Sequence, residues 1–223
     1  MEPIHQTGRF TGVAFDRMKA GRRFAVAVWV AVGLFWLGSP GPVAAGPTAT
    51  EAIKGTIDEV VRILQDKDLQ KESRHDERRQ KLEKVIWERF DYDEMSKRSL
   101  GAQWNKLNDE QKKEFVELFK SMLSRTYADK IESYHGEPIS YLNERLKDDY
   151  AEVKTKVLHG KAPIPLDYRL INKSGEWRVY DVVIDGISLV NNYRGQFTKI
   201  IRTESYEDLV KRLQQKSDKI AAP

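Results

Sequence analysis

His75, His135 and His159 are the imidazoles a metal site could draw on beyond the N-terminal segment. One stands in a charged helix start and two in loops. A zinc or iron site needs several His, Cys or carboxylate ligands converging on one point. The chain has no cysteine, and no metal is expected. Ser188 lies in Gly186-Ile187-Ser188-Leu189-Val190, which lacks the second glycine of the strained G-x-S-x-G nucleophile elbow; it reads as a helix N-cap. No Walker A or G-x-G-x-x-G phosphate cradle occurs, so ATP hydrolysis is not expected. Asp181 and Asp185 remain as candidate general bases of the kind found in isomerases and dehydratases on a nuclear-transport-factor-like cone. Such a base sits in the cavity beside a polar partner and carries a shifted pKa. Asp181 alternates in phase with Trp177, Val179 and Val183, whereas Tyr180, Val182 and Ile184 form an uncharged face. That face is assigned to the interior and Asp181 to a structural role, so no catalytic residue is expected.

The elements that would hold these residues follow from periodicity. Ile53, Ile57, Val60, Val61 and Leu64 make an amphipathic helix over residues 52–69, and Leu82, Val85 and Ile86 mark a second over 74–89. Asp91 caps a short third helix, with Glu94 at the capping-box position and Gly101 closing it. Asn108, with Gln111 at its box position and Asp109 and Glu110 in the first turn, starts the longest helix. From residue 139 the period becomes two, giving strands at 139–146, 151–158, 164–171 and 177–184 joined by short polar loops, which is an antiparallel meander. Asp185-Gly186 breaks the last strand, and Leu189, Val190, Tyr193, Phe197, Ile200 and Ile201 give the following helix one apolar face. A final helix starts at Ser205. Helices, then a sheet, then helices make an α+β domain.

Two blocks carry a resemblance. One runs from Glu176 to Phe197 through Asp185-Gly186 and Ser188. The other is Phe90-Asp91-Tyr92-Asp93-Glu94-Met95-Ser96-Lys97-Arg98-Ser99-Leu100-Gly101 to Trp104, followed by Leu107 to Phe119 and Tyr127. In order and content the chain resembles the MlaC family, also called toluene-tolerance or auxiliary ABC-transport proteins, over about residues 51–215. The resemblance implies a curled four-stranded antiparallel sheet with flanking helices around an apolar cavity. It also implies a soluble periplasmic carrier, a monomer whose cargo is phospholipid rather than a cofactor. Its partners would be an outer-membrane lipoprotein complex and the MCE-type periplasmic subunit of an inner-membrane ABC transporter.

The chain's envelope agrees. Arg17, Lys19, Arg22 and Arg23 precede an apolar run of 15 residues, 24–38, too short to cross a bilayer as a helix. Val43 and Ala45 supply small residues for cleavage before Gly46, so residues 1–45 read as a secretory signal, with Met18 a better start than Met1. Residues 46–223 are then one mature domain. Removing residues 1–45 lowers the net charge from +4 to +1, so the sequence pI of about 9.0 is no argument for a nucleic-acid partner.

The expected pocket takes Phe115, Leu118, Phe119, Met122 and Tyr127 from the long helix. Leu166, Tyr168 and Leu170 come from the third strand, Tyr180, Val182 and Ile184 from the fourth, and Leu189, Val190, Tyr193 and Phe197 from the next helix. Each position equally fits ordinary core, because core and pocket stripes share one periodicity. Arg194 or Lys199 is a candidate for a head-group phosphate. A hopanoid or other isoprenoid cargo, and an adaptor whose cavity is filled by its own side chains, stay open as alternatives.

Overall fold

Helix starts in this chain are written in side chains that satisfy the first free backbone N–H groups. In a computed structural model, which describes residues 46–159 and 162–219, α1 spans Ala49–Gln65 and opens on a reciprocal box between Thr48 and Glu51. It stops four residues before the sequence reading has it stop. The Asp66 carboxylate accepts the N–H groups of Asp68 and Leu69 at 2.9 and 3.2 Å, a local turn that competes with the helix. After a short 3₁₀ turn, α2 runs His75–Arg89, and α3 runs Tyr92–Leu100. Asp91 caps α3 through the Glu94 N–H, but the reciprocal bond is absent because the Glu94 carboxylate turns to Arg98. The Asp91 N–H donates to the Val179 carbonyl at 2.8 Å and its carboxylate meets Lys173 at 2.5 Å, fastening the α2–α3 junction to the sheet.

A second 3₁₀ segment, Gly101–Lys106, leads to α4, Asp109–Glu132. Its box is complete: the Gln111 N–H donates to Asn108 Oδ1 at 2.8 Å and the Asn108 N–H donates to Gln111 Oε1 at 3.1 Å. Asn108→Ala is expected to cost about 1 kcal/mol, lowering the melting temperature by about 2–4 °C in a circular-dichroism melt.

The sheet is a meander in the order β1-β2-β3-β4-β5, every pair antiparallel and the ends unpaired, so it does not close. The strands are Ile139–Lys147, Tyr150–His159, Ala162–Lys173, Glu176–Ile184 and Ile187–Ser188. The fifth strand is an addition to the expected four. Asp185 and Gly186 both have positive φ, 50° and 79°, and make a two-residue hairpin of the left-handed kind that suits sheet twist. The chain therefore folds back for two residues before α5, Leu189–Thr203, and α6, Tyr206–Lys219. Ser188 caps α5 through the Asn191 N–H, and Ser205 accepts the N–H of Asp208.

Two register shifts decide which side chains face inward. Arg169 pairs with Asp181 and Leu170 with Val179, leaving Tyr180 as an extra residue in β4. Tyr141 pairs with Thr155 and Asn143 with Lys154, leaving Leu142 extra in β1. A bulge reverses the alternation of everything beyond it. Trp177 and Val179 therefore share a face with Val182 and Ile184, while Asp181 joins Arg169 on the opposite face. The phase read from the sequence, with Asp181 beside Val179 and Tyr180 beside Val182, holds only for an unbroken strand.

The interior divides into three apolar clusters. One packs α1 on the inner sheet face through Ile53, Val153, Leu170 and Val179. A second joins α3, α4, α5 and α6 around Phe115, Phe119, Tyr193 and Phe197. A third, smaller one joins α1 and α2 through Ile63, Leu64, Leu69 and Leu82. The described residues fall in one compact unit. The expected signal and its cleavage point before Gly46 lie, up to residue 45, outside them.

Candidate functional site

Between the three clusters the side chains stop filling space. A chamber of about 140 Å³ is bounded by Leu82 and Ile86 of α2, Phe90, Tyr92 and Met95 around α3, Leu123, Tyr127 and Ile131 of α4, Val182 and Ile184 of β4, and Leu189. A second of about 340 Å³ lies between α1 and the sheet. Its walls are Ile53, Ile57 and Val60 on one side, Tyr127, Ile131 and Tyr134 on another, and Ile139, Val157, Leu166 and Tyr168 across from them. Ile86, Phe90, Tyr127 and Ile131 line both, so the two chambers share a wall and lie on either side of it like the arms of a fork.

The walls carry little polarity. Arg79, Glu83, Ser124 and Glu132 border the smaller chamber, and Thr56, Arg89 and Lys130 the larger. Several of these are occupied with one another. Ser124 Oγ donates to Glu83 Oε1 at 2.5 Å, Arg78 meets Glu132 at 3.0 Å, and Arg89 donates to Thr56 Oγ1 and to the Trp177 carbonyl. Burial raises the phenol pKa of Tyr92, Tyr127, Tyr134 and Tyr168. Removal from water disfavours the phenolate, so these rings stay neutral and the walls gain no charge from them. The Thr155 hydroxyl donates to the Leu166 carbonyl, and the Thr155 N–H to Asp167 Oδ1 at 3.2 Å, fixing the β3 backbone where Leu166 enters the chamber wall.

Asp181 lies on the other side of the sheet and is 3% exposed. Its carboxylate accepts from Ser188 Oγ at 2.7 Å, the Val190 N–H at 3.0 Å and Arg169 at 3.0 Å. Two of these donors, Ser188 and Val190, hold the start of α5 against β4, and the third ties β3 to it. Asp185 is exposed on the hairpin turn. Neither carboxylate lines a chamber.

A family model described as MlaC protein matches residues 54–215. The chain belongs to the MlaC family. The Haemophilus influenzae intermembrane phospholipid transport system binding protein MlaC is 28% identical over 122 residues, covering 52% of this chain and 57% of that protein; this chain thus matches little more than half its length. The toluene tolerance protein ttg2D of Pseudomonas putida is 28% identical over 156 residues, 69% of this chain and 73% of the relative. A phospholipid-binding protein from Ralstonia solanacearum, solved in complex with a phospholipid, superposes with a TM-score of 0.67 at 27% identity. The match covers 78% of this chain and 98% of that one.

In this MlaC-family chain, six of the residues expected in a pocket line the chambers: Tyr127, Leu166, Tyr168, Val182, Ile184 and Leu189. Phe115, Phe119, Met122, Tyr193 and Phe197 instead fill the helical cluster, where Phe119 packs edge-on to Tyr193 and Phe197 at 5.4 and 5.5 Å. Leu118 packs half-buried against that cluster, and Leu170, fully buried, belongs to the sheet–α1 cluster. The bulge turns Tyr180 to the outer face. There, with Val190 and Arg194, it borders a polar groove away from both chambers; Lys199 is exposed on α5 and borders neither chamber. The walls that sequence reasoning missed are mainly the α1 face, Ile86 and Phe90. Their signal was the apolar stripe of α1 and the pair Leu82 and Ile86 on α2, both read in the sequence as faces that pack inward.

Proposed function

We propose that this MlaC-family chain is a periplasmic phospholipid carrier that receives acyl chains into the forked space and surrenders them to membrane complexes. The observation that carries the reading is the pair of apolar chambers sharing one wall. Each methylene kept from water is worth about 0.8 kcal/mol, so a chain of ~15 carbons needs ~12 kcal/mol of shielding, which an enclosed apolar space supplies. The phospholipid complex of the Ralstonia relative supports the same cargo here. The fork favours two flexible chains over one rigid fused-ring body such as a hopanoid. Tyr127, Ile131, Phe90 and Ile86 would sit between the two chains.

The rest follows from the family and the leader. Residues 1–45 would be removed on export, leaving residues 46–223 as the mature carrier. It would shuttle lipid between an outer-membrane lipoprotein complex and the MCE-type subunit of an inner-membrane ABC transporter, maintaining outer-membrane lipid asymmetry. It would be passive and have no catalytic step. Native mass spectrometry of residues 46–223, purified from periplasm without detergent, tests this. A released diacyl phospholipid is the expected result. A fused-ring lipid would replace the cargo assignment, and a stable but empty protein would leave the adaptor reading.

A further inference from the structure

We propose that a cationic groove on the outer face of the sheet, remote from the chambers, is a docking site for an acidic segment of a partner protein. The groove, about 650 Å³, lies between α3, the start of α5 and the outer face of β3 and β4. It holds Lys97, Arg98, Arg169 and Arg194 against two carboxylates, Glu94 and Asp181. Each carboxylate is paired with one of these cations, and Arg169 also meets Glu152 at 3.6 Å, so Lys97 and Arg194 carry the surplus. Glu94 meets Arg98 at 2.7 Å, and Asp181 is enclosed by Arg169, Ser188 and the Val190 N–H. Among the described residues no ion pair engages Lys97 or Arg194. The surplus is local, since residues 46–223 carry a net charge of only +1.

Shape and chemistry point to a peptide carboxylate rather than a flat lipid surface. Arg98 and Arg169 are half-buried within a concavity, where a side chain can reach them and a bilayer surface cannot. Arg98 lies over the Tyr180 ring at 4.1 Å, and Tyr150 meets Tyr180 edge-on at 5.9 Å. Stacked Arg and Tyr side chains are the types that dominate protein interfaces, and groups already fixed lose little freedom on binding. Gly101 contributes as well. A Cβ there would meet the Arg194 guanidinium at 3.1 Å, and its φ of +56° disfavours other residues, so the glycine leaves Arg194 room in the groove. Because the groove and chambers occupy opposite faces of the sheet, a docked segment would not displace cargo.

The inference rests on the carrier reading for its need of a partner, and its test separates the two. The lipid-loaded mature protein is titrated with a fluorescent hexapeptide of Asp and Glu around one Trp, with the matching Asn/Gln peptide, and with phosphatidylglycerol vesicles. Binding of the acidic peptide alone, weakened at least tenfold in Lys97→Glu/Arg194→Glu with the melting temperature kept, is expected. Equal binding of the neutral peptide, or equal binding by the variant, overturns the proposal. Vesicle binding that the variant loses, without peptide binding, assigns the groove to a membrane and also overturns it. Lipid content measured on the same samples reports on the carrier reading alone: an empty protein that binds the peptide sinks the cargo and keeps the groove.

Discussion

Tyr127→Glu is expected to yield a folded protein that purifies without lipid. Tyr127 lines both chambers, so one carboxylate there confronts both acyl chains. Holding it neutral at pH 7 against an ordinary Glu pKa near 4.3 costs about 3.7 kcal/mol, and keeping it charged among methylenes costs more. Affinity for lipid should therefore fall by roughly 500-fold or more. The fold should survive, because chambers of 140 and 340 Å³ exceed the ~30 Å³ share of one water and can hydrate the carboxylate once empty. Two further variants make the result specific. Tyr127→Phe keeps the wall and should keep the lipid. Phe119→Leu disturbs the neighbouring aromatic cluster, where Phe119 is fully buried, and should lower the melting temperature without lowering lipid per folded molecule. Full lipid content in Tyr127→Glu, read by phosphorus assay on the folded monomer, would remove the forked space from the mechanism.

Asp181→Ala is expected to be the most destabilising single change on the sheet. It would leave Arg169, the Ser188 hydroxyl and the Val190 N–H without their shared acceptor, all in a place where Asp181 is 3% exposed. Arg169 is half-buried and still meets Glu152 at 3.6 Å, so the cost comes mainly from the unpaired Ser188 and Val190 donors, about 1–3 kcal/mol each, which for a domain of this size lowers the melting temperature by about 10 °C. Asp181→Asn, which can still accept from Val190, should fall between the two. A melting point within 2 °C of the parent would show that the strand and helix are joined by other contacts. Because the three donors on Asp181 are structural and it lines neither chamber, its loss should act through stability alone.

Local chemistry was the legible part of this sequence. Asp91, Asn108, Ser188 and Ser205 each cap the helix that follows them, because a cap is decided within four residues. The meander was legible for the same reason, through short polar connections and a period of two. The bulge at Tyr180 was not, since nothing in Val179-Tyr180-Asp181 distinguishes a regular strand from one that shifts register against Arg169 and Leu170. The pocket was half legible. Tyr127 and Phe119 belong to one stripe on α4, yet the first borders open space and the second is packed solid, and only the arrangement of α1, α2 and α5 around that stripe separates them. The α2 wall was half legible too: Leu82 and Ile86 were read as an apolar face, but nothing within α2 says that this face borders open space rather than core.

The extra residue in β4 makes this strand tolerant of a change in length. Delete Tyr180 and the alternation of β4 becomes regular with its faces kept: Val179 and Val182 stay inward, and Asp181 stays opposite Arg169 with Ser188 and Val190 in reach. A single lost codon would spare both the apolar wall and the anchor of α5, and would remove only the ring beneath Arg98. Between Val179 and Val182 a lineage should be able to lose one residue, so long as the one it keeps is the aspartate.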